Sequence, residues 1–407
     1  MRFILISLFS VGILTAFSQS ITDGLVGYFP FDGYPIVDKS GNGNKAFIGG
    51  PDSTLGCGVE GNALRFDGQR TDVTMLGPAV FDNFKTGPFT VSFYFKTFNQ
   101  AGNATLDIVS KRKSCTGDSS FAIRYTPFTN TLSVEVSENA SIRNVIIQRL
   151  DYARCWQHVV VVRELNKLSL YVNGRLAQTN LAAKRVNITN DAPLTIGKAI
   201  CSTDRKFGGF IDELRIYDRP LSADEAGLLF NAPDRIANRD TIIFLGGNIK
   251  ANVTTTCATD FTWSPAADVA DPKAAKTTIT PKKGGTFNYI LTMKETQCTA
   301  FDTLTVKVID PKDLDCGKVF LPKAFTPNAD GKNDYFFISN PYAIEELLDF
   351  EIIDSWGAKM FYTTDKFLQW DGTFNGKELN PGVYVWKIRF RCKGQELSDF
   401  GSITILK

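Results

Sequence analysis

The chain has one histidine in 407 residues, His158, so any imidazole acid–base chemistry would have to pass through it. That residue sits inside the apolar run Trp156 to Arg163, which makes it a core or sheet-face side chain. No Gly-x-Ser-x-Gly elbow is present to supply a nucleophile beside it. No Cys-x-x-Cys pair occurs, and with a single histidine the usual ligands of a structural zinc site are missing. Charge of one sign is lacking too: 45 Lys and Arg stand against 43 Asp and Glu, a net of +2. Nucleic-acid binding needs a basic footprint that this balance does not provide, and an anionic membrane surface would have as little to hold. Long amphipathic helical patterns are absent. Apolar runs long enough for a membrane span are absent as well, so no transmembrane segment is expected.

What is present begins with Arg2 and the apolar run Phe3 to Phe17. A span needs roughly 20 apolar residues, and this run falls short of that. Ala16-Phe17-Ser18 places small residues at both cleavage-critical positions. The pattern is a signal peptide over residues 1–18, with cleavage near Ser18 and an oxidising destination outside the inner membrane. The 8 cysteines fit that destination. Cys57, Cys115, Cys155 and Cys201 fall in the first half, Cys257 and Cys298 in the middle, Cys316 and Cys392 at the end. Each segment holds an even number, which predicts Cys257–Cys298 and Cys316–Cys392 bridges. Each would be worth roughly 4 kcal/mol in the chain-entropy model. The first four allow three pairings, and spacing does not choose among them.

The rest reads as an all-β chain. With Gly 33 and Phe 32, short runs of β-branched and aromatic residues alternate with clusters of turn formers. Asn173-Gly174 directly after Leu168 to Val172 predicts a type I′ hairpin. One helix is expected at Leu221 to Glu225, with Ser222 as its N-cap.

Near the end, Phe325-Thr326-Pro327-Asn328-Ala329-Asp330-Gly331-Lys332-Asn333-Asp334 is followed by Trp356-Gly357, Trp370-Asp371-Gly372 and Pro381-Gly382-Val383-Tyr384. Turn chemistry alone predicts a small antiparallel sandwich here. The order of these motifs resembles the gliding-motility-associated C-terminal domain, the type B sorting domain of the Bacteroidetes type IX secretion system. Ala329 stands where that family usually has Gly. The resemblance covers about 316–407 and implies a partner, the type IX secretion machinery.

A second resemblance spans about 21–237. It rests on Leu25-Val26-Gly27-Tyr28-Phe29, Ala63-Leu64-Arg65-Phe66-Asp67-Gly68, Trp156-Gln157-His158-Val159-Val160-Val161 and Gly209-Phe210-Ile211-Asp212-Glu213-Leu214-Arg215-Ile216-Tyr217. The block is similar to laminin-G-like, concanavalin-like jelly-roll domains. Between the two, residues 238–311 resemble PKD-type, Ig-like spacers. The expected architecture is a jelly-roll sandwich followed by two small Ig-like sandwiches.

In resembling jelly-rolls a carboxylate near the first strand can meet one on the last strand. Asp32 and Asp212 are therefore the expected calcium ligands, with backbone carbonyls and water completing the six to eight oxygens that calcium takes. The alternative is that Asp32 caps a turn and Asp212 accepts backbone hydrogen bonds. For a hydrolase, the adjacent Asp212 and Glu213 look unsuitable, because strand alternation sends neighbours to opposite faces. The reading is a secreted or surface-displayed, non-catalytic protein that binds a polysaccharide, glycoprotein or cell-surface protein. Loop-flanking Phe98, Tyr125 and Phe128 are candidate contacts. A polysaccharide hydrolase and a purely structural adhesion protein are the alternatives.

Overall fold

The computed structural model describes residues 20–50, 54–77, 84–98, 104–151, 155–201, 203–316, 319–328 and 332–406. The expected signal peptide lies outside them. The chain divides into two compact units, and the first takes in residues up to Arg235 together with 254–259 and 293–300.

The first unit is a two-sheet sandwich. One sheet runs in the order Arg175–Leu181, Lys167–Val172, Gln157–Glu164, Phe89–Thr97, Gly208–Tyr217, Asn62–Asp67 and Leu55–Cys57, with Leu25–Phe29 also paired to Gly208–Tyr217. The other runs Ile142–Arg149, Thr131–Asn139, Ser120–Thr126, Leu106–Lys111, Leu194–Ile196, Asp72–Leu76 and Lys45–Gly49. Side-chain period 2 builds the core between them: Phe89, Val91, Phe93 and Phe95 point inward from one strand and meet Phe121, Ile123 and Tyr125 from the facing sheet. Truncating one such phenylalanine to alanine costs about 3–5 kcal/mol. Asn173 and Gly174 both have positive φ, as a type I′ turn demands.

The strand Phe89–Thr97 is buried at every position, including its outward residues Thr90, Ser92, Tyr94 and Lys96. A segment after Gly208–Tyr217 covers Thr90 and Tyr94. Thr90 Oγ1 donates to Arg219 O at 2.8 Å and accepts from Leu221 N at 3.1 Å. Tyr94 Oη donates to Leu229 O at 3.1 Å and accepts from Asn231 N at 2.6 Å. The covering segment contains the expected helix, Ala223–Leu228, closed by a reciprocal Ser222–Glu225 capping box. His158 lies on this covered face, 1% exposed, with Nε2 2.9 Å from Ser92 Oγ and its ring stacked 4.4 Å from Tyr94. Burial drives its pKa down to about 3, so it is neutral.

The disulfides correct one expectation. Cys115–Cys201 closes within the sandwich and Cys316–Cys392 pairs as expected, but Cys257 and Cys298 do not pair with each other. Cys257 is bonded to Cys57 and Cys298 to Cys155, at sequence separations of 200 and 143. An even count per segment constrains parity, not proximity. Both loops that carry these cysteines, 254–259 and 293–300, belong to the first unit.

The second unit holds a four-stranded sheet ordered Thr241–Phe244, Thr299–Ile309, Gly285–Lys294 and Asp260–Ser264, around buried Trp263, Tyr289, Leu291 and Leu304. It also holds a five-stranded sheet ordered Ala324–Phe325, Gln395–Ile405, Gly382–Cys392, Glu346–Ile353 and Lys359–Thr363. Here the motif residues do structural work. Phe325 and Trp370 pack with ring centroids 5.5 Å apart. Gly372, at φ +76°, lets its backbone approach Phe325 and Pro327, where a Cβ would meet Pro327 Cγ at 3.1 Å. Asn333 adopts φ +55°, and its carbonyl accepts from Thr326 N at 2.8 Å. Asn328 N donates to Asp334 Oδ1 at 3.1 Å. Asp371 Oδ1 accepts from Thr373 N at 2.9 Å, and Tyr384 Oη donates to Asn380 O at 3.0 Å just before Pro381 and Gly382. Trp356, followed by Gly357 in a tight turn, is the exception at 92% exposed. Asp330 and Gly331 lie outside the described residues.

Candidate functional site

One irregularity builds the site. Ile211 and Leu214 both point into the core although they are three residues apart. The pairing of Gly208–Tyr217 with Phe89–Thr97 shifts register between Asp212 and Arg215, a β-bulge. The extra residue leaves Asp212 and Glu213 together on the outer face, which overturns the expectation that alternation separates them. Glu213 pays for this with φ +54°, a conformation costing a non-glycine residue roughly 1–3 kcal/mol.

Both carboxylates are buried, Asp212 at 0% and Glu213 at 3% exposure. Asp212 Oδ2 accepts from Val59 N at 2.7 Å and Glu60 N at 3.3 Å, and Oδ1 accepts from Glu213 N at 2.9 Å. Burial first, and the charge of Glu213 second, push its carboxyl up to about 8. Asp32 reaches the same 58–62 loop from its other end: Oδ1 accepts from Asn62 N at 3.2 Å and Oδ2 from Lys39 Nζ at 3.3 Å. Asp32 and Asp212 thus each accept from the 58–62 loop, at its two ends. All four of their oxygens, however, face nitrogen donors. The pair as arranged does not fit a bridging calcium ion, and no group of three or more metal-ligating side chains occurs among the described residues.

Glu213 forms the floor of an open cleft of about 520 Å³. Tyr28 Oη donates to its Oε1 and Oε2, both at 3.1 Å, and Arg215 ion-pairs with it. The Arg215 guanidinium lies 4.3 Å over the Tyr28 ring. Burial raises the Glu213 carboxyl, and Arg215 pulls against that rise. Lys39, Glu60, Leu228 and Asn231 also line the cleft. The sequence signals this triad only through the Ile211-x-x-Leu214 spacing, which breaks strand alternation. Of the three aromatic candidates, Tyr125 is a core residue at 2% exposure, whereas Phe128 is 73% exposed on a turn. Phe98 lines a second, smaller cavity with Lys96, Phe210 and Glu295.

Residues 37–227 match the concanavalin A-like lectin/glucanases superfamily, and residues 319–405 match the CHU_C type IX secretion signal domain. The chain carries a concanavalin-like domain and a type IX secretion signal domain. The signal domain implies export by the type IX machinery to the cell surface or beyond. Among the described residues no helix is long and apolar enough to cross a membrane. The structure is similar to the botulinum neurotoxin serotype D binding domain, at 14% identity, 70% of this chain, 75% of that chain and TM-score 0.46. It is also similar to domain 4 of AbnA, a GH43 extracellular arabinanase from Geobacillus stearothermophilus, in complex with arabinotriose. There the identity is 18%, with 51% of this chain and 98% of that chain covered at TM-score 0.40. No curated protein matches the chain.

Proposed function

We propose that this exported protein is a non-catalytic binder whose concanavalin-like domain holds a glycan in the cleft above Glu213. The observation that carries the reading is the cleft itself: about 520 Å³, within the roughly 300–1,000 Å³ of ligand sites. Its floor of carboxylate, guanidinium and phenol is already hydrogen-bonded in place. Such a floor holds the remaining guanidinium N–H groups of Arg215 in place for ligand hydroxyls without an ordering cost at binding. Lys39 and Arg215 offset Glu60 and Glu213 around the cleft, which favours a neutral ligand over a strongly charged one.

A hydrolase would need two carboxylates free to act on one glycosidic bond. Glu60 and Glu213 line the cleft, but both oxygens of Glu213 are held by Tyr28, and Asp212 is spent on the 58–62 loop. Binding is the better use of this arrangement. A glycan array with the mature chain, followed by reducing-end assays on every hit, tests it. Retention without product release is expected. The exposed rim variants Leu228→Ser and Lys39→Ala should weaken retention at least fivefold. Turnover of a hit would establish the hydrolase, and no hit would leave an adhesion or structural role.

A further inference from the structure

The second cavity, about 200 Å³, is lined by Lys96, Phe98, Phe210 and Glu295, and by Thr296 to Cys298. Its last four residues come from loop 293–300, outside the stretch that matches the concanavalin-like family. The Cys155–Cys298 bond fixes that loop beside the sandwich. Lys96 is 5% exposed, and its ammonium lies 4.8 Å from the ring centres of both Trp156 and Phe210. It donates to both oxygens of Glu295, at 2.6 and 2.8 Å. Phe98 stands edge-on to Phe210, with centroids 5.4 Å apart.

We propose that this cavity is a second carbohydrate site, taking a single neutral sugar ring. At about 200 Å³ it is smaller than the roughly 300–1,000 Å³ of drug-sized sites, so it holds one ring and not a chain. Phe98 and Phe210 supply apolar walls for the C–H face of a pyranose. The Glu295 carboxylate, anchored by Lys96 yet with its side chain 25% exposed, keeps lone pairs for two adjacent hydroxyls. Lys96 cannot recruit an anionic sugar, because its charge is already matched by Glu295 and shared with two rings.

The test uses the mature, disulfide-bonded chain and saturation-transfer NMR with methyl β-glucoside, methyl β-galactoside and glucuronate. At least one neutral glycoside should bind with a millimolar Kd, and glucuronate at least fivefold more weakly. Phe98→Leu keeps apolar volume without the ring, and Glu295→Gln keeps shape without the charge. Each should weaken the neutral probe at least fivefold, with folding checked by near-UV circular dichroism. Ile147→Ser, exposed on the strand Ile142–Arg149 and in the lining of neither cavity, should change nothing. Absence of neutral-glycoside binding overturns the proposal. So does binding that survives both Phe98→Leu and Glu295→Gln, since the sugar would then sit elsewhere.

Discussion

Cys57 is bonded to Cys257, 200 residues further along, and both lie in the first compact unit. The folding unit of the concanavalin-like domain therefore extends past the end of its family match. A fragment ending at Ala237 should carry two unpaired thiols, Cys57 and Cys155, countable by thiol titration. In the full chain, the double change Cys57→Ser, Cys257→Ser should cost roughly 2–5 kcal/mol in chemical denaturation.

Stability should fall as pH rises through neutrality. Burial raises Asp107 to about 6 and Asp212 to about 8 in the folded chain, whereas an unfolded aspartate sits near 3.9. Each of these two carboxyls keeps a native-state proton that the unfolded chain has already lost, so each costs stability as pH rises through its folded value; His158, held near 3, opposes this only below about pH 6.5. Urea midpoints measured from pH 5 to pH 8.5 should decline. Asp212→Asn, which keeps an acceptor for the 58–62 loop, should flatten the decline between about pH 6 and 8.

Glu213→Gln should be severe, because it leaves the Arg215 guanidinium without its buried partner. A loss of about 3–5 kcal/mol is expected from denaturation curves. Replacing both residues together should cost less than the sum of the single changes, since they share one interaction.

Chelation should not matter for the sandwich. The oxygens of Asp32 and Asp212 face nitrogen donors, so EDTA and added calcium should leave the melting temperature within about 1 °C, against the several degrees that about 1 kcal/mol of ligand stabilisation would give. A calcium-dependent rise would sink this account of the 58–62 loop.

Two of the three tryptophans of the signal domain, Trp356 and Trp370, should separate folding from recognition. Trp370 is 2% exposed, with Nε1 donating to Thr373 O at 2.9 Å, and its change to alanine should cost about 3–5 kcal/mol. Trp356, at 92% exposure, contributes nothing to the core. Trp356→Ala should stay within about 0.5 kcal/mol of the parent and yet reduce the amount of protein exported.

Local chemistry was readable in the sequence, and long-range meeting was not. Asn173-Gly174 declared its hairpin because two left-handed residues in a row suit few others. Ser222 declared its helix because an N-cap serine followed by acids in the first turn is a purely local signal. The bulge at Asp212 and Glu213 hid because an inserted residue changes the phase of alternation without changing its look. The Cys57 and Cys155 partners hid because they arrive from loops that only the folded topology brings near. Lys96 and Glu295 met for the same reason, 199 residues apart.

In the signal domain, Gln395–Ile405 is hydrogen-bonded on one side to Gly382–Cys392 and on the other to Ala324–Phe325. A polypeptide cut short of Gln395 has all the earlier modules but no sheet joining those flanks. The fold of the signal domain thus hinges on this one strand: without it, the segment that opens the domain has no edge to pair with.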